Sequence, residues 1–185
     1  MITESYYWKE PLLAGAKVIR QHMDAEEISE AEFAQIEREI LIGFYAIRKL
    51  LEATGKVSAE TRTMKLALKQ YEKRADQPIV DWRNCHKFSE LYDLDKPAQK
   101  LSDLLYVAHR IVHSFIFILS SDDNDHGAFF TSDRDKDTCL NFISTDEIIR
   151  IFEVVGQDYP SSFHAWRDNE TGEMKWTVPP KEPKR

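Results

Sequence analysis

"AHRIVHSFIF", residues 108–117, decides how the middle of this chain is read. Taken at 3.6 residues per turn, it belongs to a helix that opens near Pro97, after a cap at Asp95, and runs to Leu119. Leu101, Leu104, Ala108, Ile111, Phe115 and Ile118 form one apolar stripe. Leu105, Val112, Ile116 and Leu119 widen it to roughly half the circumference, as in a helix at the centre of a bundle. His109 and His113 share the edge of that stripe, and Arg110 lies further round.

Working outward, the clearest signal is another helix. Ser29-x-x-Glu32 is a capping box, Phe33, Ile36, Ile40, Phe44, Ile47 and Leu51 recur at helical spacing, and Gly55 stands where the helix stops. A first helix is expected from Pro11 to Met23. Residues 58–72 fit both periods, and Thr61 and Thr63 tilt them towards an extended segment. "WRNCHKFSELYDL" reads as a short helix with aromatic anchors. Beyond it, "AFFTSDRDKDTCLNFIS" reads as two short strands joined by a charged turn. A second capping box, Ser144-x-x-Glu147, opens a helix that stops at Gly156. "FHAWRDNETGEMKWTV" alternates like a hairpin. The expected fold is α+β, mainly α: one domain over residues 1–178, with a helical bundle over about 8–120, small C-terminal β-hairpins plus one helix over 126–178, and a disordered tail, 179–185. The packing expectation is two long helices, 29–54 and 97–119, burying Phe44, Ile47, Leu104, Ile111 and Phe115 between them.

The bulk chemistry narrows the function. A net charge of −7 over 185 residues argues against indiscriminate nucleic-acid binding. Charge is uneven: residues 21–40 carry seven acids against Arg38 alone, and residues 60–87 carry seven basic residues against four acids. There is no apolar run of roughly 18 residues, and "MITESYYWKE" lacks a signal-peptide pattern. The two cysteines, Cys85 and Cys139, have no metal-knuckle spacing, so a cytoplasmic protein with free thiols is expected. No glycine-rich phosphate loop is present, and no cofactor is expected.

Candidate chemistry gathers on the histidines. His109 and His113 stand at the i, i+4 spacing of a metal-chelating pair, but without a third ligand and with Arg110 beside them no metal is expected. Asp122, Asn124, His126, Gly127 and Asp133 fit a calcium-loop template poorly. Adjacent residues on a helix diverge, so Cys85 is not activated by His86. Trp8, Trp82, Trp166 and Trp176 are scattered singly, as packing residues are. What remains is R-x-x-H, occurring twice as Arg110–His113 and Arg83–His86. Such a pair suits proton transfer at a ribose hydroxyl beside a cation that holds phosphate.

On "FYAIRKLLEATGKVS", "NCHKFSELYDL" and "RIVHSF", residues about 8–120 resemble the HEPN helical-bundle superfamily. The resemblance implies a bundle of four or five helices that often dimerises, and in many members metal-independent ribonuclease activity. It implies a catalytic role for Arg110 and His113, with Arg83 and His86. The family pattern is Arg-x(4–6)-His in a late helix, whereas here the spacing is Arg-x2-His. The chain is therefore expected to be a non-enzymatic interaction module with a protein partner and a homodimeric form. The second expectation is an RNA-binding or RNA-cleaving bundle.

Overall fold

The computed structural model of the chain describes residues 2–23, 28–122 and 125–178. The expected tail 179–185, and Asn124 of the acidic loop, lie outside them. Helix α1 spans Tyr6–Met23 and α2 spans Glu30–Glu52. The capping box of α2 forms: Ser29 Oγ accepts from the Glu32 amide at 3.3 Å, and the Glu32 carboxylate accepts from the Ser29 amide at 2.8 Å. Ile36, Ile40, Phe44, Ile47 and Leu51 are buried along one side. Helix α1 begins before Pro11, which loses one intrahelical bond there, because Lys9 in the added turn is buried.

The expected helix over 97–119 does not form as one element. Its stretch holds strand β2 (Ala98–Asp103), helix α5 (Leu104–Val112) and the start of strand β3 (Ser114–Asp122). His113 alone is the joint between α5 and β3. Helix α5 buries Leu104, Val107, Ala108 and Ile111. Past the joint, the β-branched and aromatic run Phe115–Leu119 favours a pleated strand. Phe117 and Leu119 then pack with one core, and Ile116 and Ile118 with another. Phe115, expected to be buried, is half-buried.

The mainly helical bundle with small hairpins is therefore corrected to α+β around a central sheet. Helix α3 (Ala59–Arg62) precedes strand β1 (Lys65–Glu72), which resolves the ambiguity of residues 58–72 as a helical turn and then a strand. With β4 (Asp125–Ser132) and β5 (Cys139–Ser144), the five strands run in the order β2-β1-β5-β4-β3, every pair antiparallel. The two strands expected as a separate hairpin, β4 and β5, are interior members of this sheet. Cys139–Ile143 are buried without alternation, because β5 has neighbours on both edges and is covered on both faces.

One face of the sheet, with Leu66, Leu68, Phe130 and Ile143, packs under α1, α2, α5 and helix α6 (Thr145–Gln157). The other, with Tyr71, Leu140 and Phe142, is covered by the segment after β1. That segment contains a 3₁₀ turn, Cys85–Lys87, and α4 (Phe88–Leu91). Two tight contacts tie the helical layer together. Gly43 on α2 lets the Phe152 ring of α6 sit against the helix backbone: a β-carbon at Gly43 would lie 2.1 Å from Phe152 Cζ. Lys9 is fully buried, and its ammonium donates to the carbonyl of Lys56 at 2.7 Å and to that of Asp158 just past α6. Asp158 in turn accepts from the Ser58 amide at 2.6 Å.

Strands β6 (His164–Arg167) and β7 (Met174–Thr177) form the expected C-terminal hairpin, and among the described residues they pair only with each other. Its turn is fixed by Asp168, which accepts from Lys175 and from the amides of Glu170 and Thr171. The Lys175 hydrogen bond, with those amides, pulls the Asp168 carboxyl down to about 2. Gly172 adopts the left-handed conformation that this turn requires.

Candidate functional site

The histidines of the opening stretch meet the end of α2, not Arg110. Packing of α5 along α2 brings the last turn of each together. Arg48 Nη1 lies 2.8 Å from His113 Nε2. Arginine can only donate, so His113 Nε2 accepts and its proton sits on Nδ1. Arg48 Nε donates to Glu52 Oε1 at 2.8 Å, one helical turn on. Glu52 Oε1 lies 3.5 Å from His109 Nε2, and Oε2 lies 3.6 Å from Lys49 Nζ. The two imidazole centroids are 6.3 Å apart. Glu52 also lines a groove of about 560 Å³ with Ile2, Thr3, Ala53, Thr54, Lys56 and Phe163.

Electrostatics separates the groups. The hydrogen bond from Arg48 holds the Glu52 carboxyl below its usual range. Partial burial pushes the His109 imidazole down, Arg48 adds to that, and Glu52 opposes it. A histidine depressed in the folded state favours folding above the unfolded value of about 6.5, and that contribution fades as pH falls from there through the folded pKa. Glu52→Gln should therefore lower the His109 pKa further, and Arg48→Gln should raise it. Imidazole chemical shifts followed by NMR across the acid range check both signs. An unchanged midpoint in both variants would show that the cluster does not couple.

Arg110 turns the other way. Its guanidinium lies 4.7 Å from the Tyr106 ring centroid, and its Nε is 2.5 Å from Asp135 Oδ2, an ion pair whose angle falls short of a hydrogen bond. It ties α5 to the β4–β5 turn. Arg83 stacks on exposed Trp82 at 5.2 Å, and His86 is exposed in the 3₁₀ turn. Cys85 and Phe88 beside them pack on the sheet face opposite to α5. The two R-x-x-H pairs thus share no cleft, and neither places its arginine against its histidine. Arg48 and Glu52, an i, i+4 pair within "IRKLLE", complete the cluster and belong to neither R-x-x-H pair.

The thiols offer no nucleophile: Cys139 is buried and its pKa is raised by burial, and Cys85 Sγ faces the Trp82 carbonyl at 3.8 Å. Among the described residues no group of three or more His, Cys, Asp or Glu could hold a metal ion, and no helix is long and apolar enough to cross a membrane.

A second unusual surface is the β6–β7 hairpin. It meets the body where Arg62 lies 4.7 Å from the Trp176 ring centroid and where Phe163, just before β6, covers Gly55, its ring tilted against Trp176 at 6.2 Å. Phe163, Trp166 and Met174 remain 46%, 48% and 57% exposed. Four-residue strands pairing only with each other are marginal in water without a third layer.

Compared with family models, with curated proteins and with solved structures, the chain matches none.

Proposed function

We propose that this chain is a non-enzymatic, cytoplasmic interaction module whose β6–β7 hairpin docks on a protein partner. The observation that carries the proposal is the two-stranded sheet of β6 and β7, which holds Trp166 and Met174 about half exposed. Large aromatics anchor interfaces because one ring buries much apolar area at little conformational cost. The dispersal of the four Arg and His candidates over separate sites supports the same reading. A photo-reactive phenylalanine placed at Trp166 should give one adduct of defined mass in the native host, and the same probe at exposed Lys17 on α1 should give none. Failure to form a discrete adduct at position 166 would sink the proposal.

The histidine cluster favours one other reading, metal-independent cleavage of RNA. There one imidazole would take the proton of a ribose 2′-hydroxyl, the other would protonate the departing 5′ oxygen, and Arg48 and Lys49 would hold the phosphate. Arg48, not Arg110, would be the clamp. Metal-free cleavage of a labelled RNA pool, lost in folded His113→Ala and Arg48→Ala variants, would displace the interaction reading.

A further inference from the structure

The two edges of the sheet are treated differently. Edge strands expose unpaired backbone amides and carbonyls, and monomers guard them with charges, prolines, bulges or short length. Strand β2 is guarded: it is six residues long, follows Pro97 and carries Lys100 and Asp103. Strand β3 is nine residues long and uncharged from Ser114 to Ser121, with no lysine or proline. Its one register irregularity falls at the start, between Ser114 and Ile116, so Ile116–Ser120 run regularly. Among the described residues no strand pairs with its outer edge. Phe117 and Leu119 on one face, and Ile118 on the other, are half-buried at that edge.

We propose that the occupant of this edge is a second copy of the chain, paired β3 to β3 about a two-fold axis into one ten-stranded sheet. Directly opposed residues of an antiparallel pair share a face, so the axis must pass beside a single residue. Centred on Ile118, the pairing sets Ile118 against itself, Phe117 against Leu119 and Ile116 against Ser120, and leaves the irregular start outside. Each half-buried apolar side chain gains an apolar neighbour on its own face. Charge favours this strip for a self-contact. Each copy carries −7, so two copies repel over most approaches. Here no like charges meet, and position 122, an acid, falls opposite position 114, next to His113. About nine residues a side is below the roughly 20–30 of a standard interface, so the dimer should be reversible, with a dissociation constant on the order of micromolar. The inference is independent of what the hairpin binds.

Sedimentation velocity of the full chain over a concentration series should show a monomer–dimer equilibrium. Ser120→Lys, which brings a charge to the edge without emptying the core, should weaken it by about tenfold or more. On a Cys85→Ser background, Ile118→Cys should form an interchain disulfide on mild oxidation, because position 118 faces its own copy at the β-carbon spacing of opposed strands. Leu101→Cys on β2, an exposed site on the guarded edge, should not. A chain that stays monomeric at the highest concentration overturns the proposal. So does a dimer that ignores Ser120→Lys, or one trapped at position 101 and not at 118.

Discussion

Replacing Lys9 by alanine should destabilise the fold by about 3–5 kcal/mol, through two backbone acceptors left without their donor and the cavity left by the side chain. A lysine with no accessible surface is rare, because the ammonium must replace all its water contacts. Lys9 does so with the carbonyls of Lys56 and Asp158, and with the Tyr159 ring at 4.4 Å. Lys9 reaches from α1 to the end of α6, and its head sits where the carbonyls there concentrate negative potential. Alanine would take the donor from both carbonyls and leave a cavity beside them. Methionine should recover the packing share only, so Lys9→Met should fall between wild type and alanine. Urea unfolding followed by circular dichroism measures both. A loss under about 1 kcal/mol for alanine would mean that water reaches the carbonyls once the ammonium is gone.

Gly43→Ala should be the second severe change, at about 3 kcal/mol, the upper end of overpacking costs. On helix propensity alone the substitution would stabilise α2 by about 1 kcal/mol. Packing reverses the sign, because the new methyl would lie 2.1 Å from Phe152 Cζ, 2.6 Å from Cε2 and 2.9 Å from Cε1. Neither side yields easily: Phe152 is buried, and its ring meets Phe44 edge-on at 5.8 Å. Phe152→Ala alone should cost about 3–5 kcal/mol through the cavity it leaves. The double variant should be no worse than Phe152→Ala, since the clash is gone and the methyl fills part of the void. If the two losses simply add, Gly43 is not the seat of that ring and α2 and α6 cross elsewhere.

The capped helices were legible because both ends and the buried face of each are written locally: Ser29 with Glu32, Ser144 with Glu147. The hairpin at Asp168–Gly172 was legible for the same reason. The central sheet was not. The apolar stripe over 97–119 covered half of a helix, and that width is also what a strand buried on both faces presents. Only the partners tell the two apart, and β4 and β5, which give β3 its place in the sheet, come later in the chain. The histidine cluster failed similarly. His109 and His113 were visible as a pair, but the cation against His113 is Arg48, 65 positions away, and adjacency in sequence pointed instead to Arg110.

The topology also says something about how the molecule comes to exist. Helix α1 leaves the ribosome long before α6, yet α6 is its main partner, and the ammonium of Lys9 finds Asp158 across 149 positions. Strand β1 likewise waits for β5. Until α6 has been synthesised, α1 lacks its main partner, and α2 is covered on its apolar side by α1 and α5 alone among the helices. Closure over such separations is slow, because the entropy of bringing distant segments together is lost before their contacts form. The core is therefore completed only after β5 and α6 have emerged, in a synthesis that runs at about 5–20 residues per second.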